Sequence, residues 1–314
     1  MRRSLSLCNL SSHSSLRLAP AREGRAILSR LGDPYLANLT AHEISARTKQ
    51  KLSRADFAAF QSTQVLEWTP EDEHEILGTF VESMHEEFAT RFASLRPFVP
   101  PTVDFFVTTG ADETGITDMS SPKSRIAYCR GANAVFISRK ILDWANSAEY
   151  ARHLIWHEMW HIVSRNMPRS NIDAMYDVLG FRPMGSRLTN MHPYRLTNPD
   201  ALYIQHCMDV GDASFVPLLL IDPKFDCFDA KVSVFDHFHI LFAMLDKEQL
   251  NYEKVYNLHG TDVFQHMLDR MGRNTGYLLH VEEVLAENFA MLARNEDVAD
   301  EKKSNEIMDR IKRL

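Results

Sequence analysis

The residues best suited to chemistry lie in one short run, His157-Glu158-Met159-Trp160-His161. Two histidines four positions apart sit about 40° from each other around an α-helix, so both imidazoles can reach a single ion. Glu158 follows His157 by about 100° of helical turn, beside such an ion and outside its coordination shell. A carboxylate there can act as general base toward water activated by the metal. Leu154, Ile155, Trp156, Met159, Trp160, Ile162 and Val163 package the run as a buried helix. Zinc, one ion for the chain, is the metal this pattern suits.

A catalytic zinc takes three protein ligands and keeps a position for water. The extended pattern HExxHxxGxxH would add a third histidine, but Ser164 stands at its glycine and Met167 at its last histidine. The third ligand must come from elsewhere. The best source is the run His280-Val281-Glu282-Glu283-Val284-Leu285-Ala286-Glu287-Asn288-Phe289. Glu283 and Glu287, at i and i+4, share one helix face, so one can bind metal while the other orients a ligating histidine. Spacing alone does not choose between them, and a solvated acidic face accounts for the pair equally well. Glu282 is expected to face solvent.

HEMWH followed by EEVLAENF resembles the glutamate-zincin class of zinc metallopeptidases, in which a distant helix supplies a glutamate. Glu283 to Phe289 is similar to the E-x-x-A-E-x-F helix of the lethal-factor-like zinc proteases, whose first glutamate is the ligand. That likeness implies Glu283 as the third ligand and Glu287 as an acid behind it. Thr108-Thr109-Gly110, Tyr128 to Val135 and Asn198-Pro199-Asp200 also resemble, in their order, uncharacterised bacterial HExxH proteins. The likeness implies a peptide or protein substrate, with Glu158 as general base. Tyr277 lies near where some such enzymes place a tyrosine that steadies the developing oxyanion, and a core tyrosine in a turn accounts for it equally well; His280 could play the same role or simply start the helix. The likeness also implies that the strand before the motif helix, Ala134 to Ser138, is an edge that pairs with an extended peptide, with Arg130 and Asn133 lining the cleft. A zinc hydrolase of another amide or ester is one rival reading. A non-catalytic zincin-like binding protein is the other, and Glu158 argues against it, because a structural zinc has no use for a general base.

The elements that must position these residues can be read from caps and periodicity. Residues 1–30 carry Arg2, Arg3, Arg17, Arg22, Arg25 and Arg30, many serines and Glu23 as their one acid. This composition reads as a disordered or targeting-like tail. Residues 31–100 form a helical region: Thr40 and Ser53 cap helices, and Thr69-Pro70 open one with Ile76, Phe80, Met84 and Phe88 in its stripe. Residues 101–314 form the metal-binding domain. It starts with strands over Val103 to Thr108 and, broken at Gly131 and Asn133, over Arg125 to Ser138. A helix capped by Asn146 bears the motif, and a shorter one over Ser170 to Leu179 follows. Residues 201–245 are a β-rich insertion; Thr261, His280 and Ser304 then start helices. His237 and His239 alternate as on a strand and are the candidate pair for a second metal; His153, one turn before His157, could touch the site but reads as packing or exposure. The expected fold is α+β and zincin-like. A small twisted sheet and the HExxH helix form an upper lobe, and a mostly helical lower lobe supplies Glu283.

Composition sets the outer bounds. With 314 residues and 45% hydrophobic content, the chain can bury a sizeable core. A net charge of −7 argues against nucleic acid as partner, since phosphate binding needs a basic face. The densest apolar run, Phe215 to Ile221, is interrupted by Pro217 and far short of the roughly 18 residues a membrane helix needs. Cys8, Cys129, Cys207 and Cys227 are scattered, which suits buried or free thiols over a disulfide framework and permits a reducing, cytoplasmic setting without establishing one.

Overall fold

The computed structural model describes residues 5–11, 14–71, 84, 86–116, 125–142, 147–185, 187–188, 192–229, 231–247 and 249–314. The fold is α+β. The chain opens with strands β1 (Leu5–Ser11) and β2 (Ser14–Leu18), followed by helices α1 (Ala21–Leu28), α2 (Pro34–Asn38), α3 (Ala41–Thr48) and α4 (Arg54–Thr63). Side-chain oxygens of Asp33, Thr40 and Ser53 accept the first free backbone N–H groups of α2, α3 and α4. Ile76, Phe80 and Asn146 lie outside the described residues, whereas Met84 and Phe88 are fully buried.

Strands β3 (Val65–Leu66), β4 (Thr102–Thr108), β5 (Ala127–Arg130) and β6 (Ala134–Ser138) complete a first sheet with β1 and β2. Its order is β1-β2-β4-β6-β5, with β3 also pairing β4. Strands β2, β4 and β6 run parallel, and β5 returns antiparallel along β6. Two expectations are corrected here. The tail does not stay apart from the domain: β2 pairs with β4, and Leu16, Leu18 and Leu28 are buried. The sheet edge is β5; Ala134–Ser138 is an interior strand.

Short helices α5 (Ala111–Thr114) and α6 (Arg139–Leu142) precede the long motif helix α7 (Ser147–Arg165), after which comes α8 (Arg169–Val178). Then β7 (Phe181–Pro183), β8 (His206–Val210), β9 (Ala213–Ile221), β10 (Phe238–Asp246) and β11 (Gln249–Tyr256) form a second, antiparallel sheet in sequential order. The second half is therefore less helical than expected, and its β-rich part runs past residue 245. Helices α9 (Asp262–Met271), α10 (Val281–Ala293) and α11 (Glu301–Lys312) close the chain. Thr261 caps α9 and His280 caps α10. Asp300, not Ser304, caps α11, because the Asp300 carboxylate reaches the Lys303 N–H while Ser304 is buried inside the helix.

Helix α7 packs between the first sheet and α10, with Ile155, Trp156, Met159, Trp160, Ile162 and Val163 in the core. Phe289 of α10 packs on Trp160 of α7 and on Phe92, at ring-centroid separations of 5.4 and 4.8 Å. Ala286 and Ala290, both fully buried, present little bulk on α10. This packing holds the two helices face to face and so brings their polar residues together.

Candidate metal centre

His157 and His161 lie one helical turn apart on α7, their ring centroids 4.8 Å apart. Glu283 of α10 stands opposite both. Its Oε2 is 3.0 Å from His157 Nε2 and its Oε1 3.6 Å from His161 Nε2. A ligand atom from each of the three residues lies within 4.8 Å of the others, and all three residues are buried.

The outer nitrogens of the two rings are held in the same way. His157 Nδ1 bonds Glu287 Oε1 at 2.9 Å, and His161 Nδ1 bonds Glu282 Oε1 at 2.9 Å. An ionised carboxylate only accepts, so each Nδ1 carries a proton, and each Nε2 faces Glu283. His161 Nε2 is fully buried and has no hydrogen-bond partner among the described residues. Burial disfavours an imidazolium at His157, yet the hydrogen bonds it donates to Glu283 and Glu287 outweigh it and raise its pKa to about 9. The same negative field favours a cation between the rings.

Glu282 corrects the expectation of a solvent-facing acid. It is buried and also accepts hydrogen bonds from Tyr176 at 2.6 Å and from Ser164. Burial opposes its ionisation, but the contacts with His161, Ser164 and Tyr176 win and lower its pKa. Behind Glu287, His153 Nε2 bonds the second carboxylate oxygen at 3.1 Å. His153 thus extends the polar chain and is not simple packing.

Glu158 projects into the same space. Burial raises its pKa, Asp200 raises it further, and it reaches about 7. Such a carboxylate is poised for general-base work near neutral pH. The Cys129 thiol donates to Glu158 Oε2 at 3.2 Å. Burial and the nearby carboxylates push the thiol's own pKa well up, which keeps it protonated and a donor. Asp200 accepts from the Cys129 N–H at 2.8 Å and from Arg165 at 2.9 Å. Asn198 donates its amide to Glu283 Oε1 at 2.6 Å. Cys129, Asn198, Asp200 and Glu282 are the site residues that sequence reasoning missed. Asn198-Pro199-Asp200 carried a signal as a motif, with no role attached.

These groups open into a cleft of about 490 Å³. Edge strand β5 forms one wall with Ala127 and Tyr128; Leu219, Phe238 and Leu279 form an apolar end. Tyr277 is on the rim, 44% exposed, with its ring centroid 6.1 Å from that of His157. Burial of its hydroxyl and the surrounding carboxylates, Glu283 first, raise its pKa well above the usual phenol value.

Five candidate residues fall elsewhere. His280 caps α10, its Nδ1 accepting the Glu282 N–H at 3.1 Å, and it lines a smaller pocket beside Tyr176 and His206. Burial lowers its pKa to about 4, so it is neutral and already engaged. Arg130 is buried against Glu113 and stacked on Tyr35, while Asn133 bonds Thr102 and Asp104; neither lines the cleft. His237 stacks on Phe225 ahead of β10 and His239 pairs with Asp222 at 3.7 Å. Among the described residues neither joins a three-residue metal cluster.

A scan against protein-family models, a search of curated proteins and a search of solved structures each return no match.

Proposed function

We propose that this chain is a zinc-dependent hydrolase, a metallopeptidase of zincin-like architecture with a single zinc held by His157, His161 and Glu283. The observation that carries the reading is the convergence of these three donors with the Glu158 carboxylate in one cleft. Two imidazoles and a carboxylate are a donor set zinc accepts, and the orphaned, fully buried His161 Nε2 fits a ligand role. When bound, zinc supplies a Lewis acid and lowers the pKa of water.

The chain's own residues supply the rest. Glu158, with its pKa near neutrality, takes a proton from the attacking water and can return it to the leaving amine. Cys129 holds one oxygen of that carboxylate, which limits its rotation. Tyr277, at the rim beside His157, is placed to donate its hydroxyl to an oxyanion.

Backbone register supports a peptide substrate. The Ser138 N–H donates to Ile126 O at 2.8 Å, so Ile126, Tyr128 and Arg130 face β6 while Ala127 and Cys129 face outward. Asp200 takes the Cys129 N–H, and the outward Ala127 N–H and C=O, unpaired among the described residues, suit an extended chain laid along β5.

Glu158→Gln tests the reading. It is nearly isosteric and should leave zinc content unchanged while lowering cleavage of unfolded proteins and mixed peptides by about 10²- to 10⁴-fold. Equal rates in wild type and variant would refute the assignment of the base. A wild type that cleaves no peptide in a broad library would refute the peptidase reading.

A further inference from the structure

The segment 197–200 crosses the metal centre, and what holds it lies far away in the sequence. Each polar group of Thr197 is bound by α3. Its N–H donates to Glu43 Oε1 at 2.6 Å and its hydroxyl to Glu43 Oε2 at 2.8 Å, across 154 positions of chain. Its carbonyl accepts from Arg47 Nη2 at 2.7 Å. Glu43 and Arg47 are fully buried and paired with each other at 3.0 Å, and Arg47 also pairs with Glu113. Glu113 is fixed in turn by Tyr35 at 2.6 Å, Gln61 at 2.8 Å and Arg130 at 2.6 Å. All four carboxylate oxygens of Glu43 and Glu113 accept hydrogen bonds in this buried ionic network, whereas Nε and Nη1 of Arg130 find no hydrogen-bond partner among the described residues. Removing one partner of such a network strands the others, which favours a single geometry.

The far end of the segment is fixed too. Asp200 is tied to the Cys129 N–H and to Arg165. Between these anchors sits Asn198. Its Oδ1 accepts the Asp200 N–H at 2.8 Å, which settles the orientation of the amide and leaves Nδ2 to donate to Glu283 Oε1. Glu283 therefore has one oxygen against His157 and the other steered by a side chain on a clamped strap.

We propose that Asn198 is a positioning residue for the third ligand, and that the Glu43–Arg47 pair of α3 sets its place through Thr197. The N-terminal helices are then part of the scaffold of the metal centre. This inference rests on the metal reading of His157, His161 and Glu283. Outer partners of metal ligands tune affinity by restricting the ligand to its binding geometry.

The test is zinc affinity by competition with a chelator, together with the visible spectrum of the cobalt-loaded protein, at a temperature where circular dichroism shows each variant folded. Asn198→Ala should lose about 10- to 100-fold in zinc affinity and shift the cobalt bands. Thr197→Val is isosteric and leaves Asn198 intact; it should lose about 3- to 10-fold, the weaker effect of a more distant support. The double variant should bind no more weakly than Asn198→Ala alone, because Thr197 acts through Asn198. A merely structural role for the strap would lower melting temperature and leave the folded protein's zinc affinity and cobalt spectrum untouched. Zinc affinities within twofold of wild type in both single variants would overturn the proposal, and fully additive losses would overturn the link through Asn198. A wild type that binds no zinc would sink the metal reading itself, a result distinct from either.

Discussion

Glu282 is the sharpest place to test the site, because a solvent-facing acid and an anchor for His161 predict opposite results. Its carboxylate accepts from His161 Nδ1 at 2.9 Å, from Tyr176 at 2.6 Å and from Ser164. Glu282→Ala removes all three contacts. Ser164 retains a bond to His161 O at 3.2 Å, so two buried donors, on His161 and Tyr176, are stranded. At about 1–3 kcal/mol for each unsatisfied donor, the variant should lose about 2–6 kcal/mol of stability. His161 also loses the partner that orients it, which should weaken zinc binding about 10- to 100-fold. Glu282→Gln keeps one acceptor oxygen and should show a smaller loss on both measures. Glu283→Ala removes a ligand and should bind zinc more weakly than either. Chelator competition reads the affinity, and urea unfolding of metal-free protein reads the stability. Wild-type values for both in Glu282→Gln and Glu282→Ala would refute the anchoring role.

Two further outcomes follow from the same geometry. Leu18, buried on β2 beside β4, should cost about 2–5 kcal/mol when changed to Ala, read as a drop in the urea midpoint; a change under about 0.5 kcal/mol, the usual surface value, would restore the picture of an independent tail. In metal-free protein, Glu287 has its pKa lowered from 4.5 to about 2: burial opposes this, and hydrogen bonds from His153 and His157 prevail. Its contribution is complete above pH 4.5 and lost as pH falls toward 2, whereas that of His157 is complete below pH 6.5 and lost as pH rises through about 9. The stability gap between wild type and Glu287→Gln should therefore be widest between pH 4.5 and 6.5; a gap constant from pH 3 to pH 10 would contradict the pairing.

What the sequence made legible was local. Thr40, Ser53 and Thr261 were readable as caps because a side-chain oxygen three residues ahead of its target is a local geometry. The convergence of His157 and His161 followed from helical spacing, and the i, i+4 pair Glu283 and Glu287 put both on one face. Glu282 was not readable. Only the packing of α7 against α10 shows that residues on both sides of Glu283 reach the outer nitrogen of a histidine. Cys129, Asn198 and Asp200 act through contacts between distant segments, and no periodicity announces which loop will cross a helix. The tail misled by composition. Leu16 and Leu18 alternate with Arg17, a strand signal, and the arginine is accommodated by Asp104 at 2.6 Å and Glu23 at 2.7 Å.

The measurement closest to the central claim is zinc content per chain. Protein purified in the presence of zinc and freed of loosely held ion should carry about one zinc per chain in the wild type. It should carry almost none in His157→Ala, His161→Ala or Glu283→Ala, and close to the wild-type amount in Glu158→Gln. A full zinc complement in the histidine and Glu283 variants, or none in the wild type, would contradict the account.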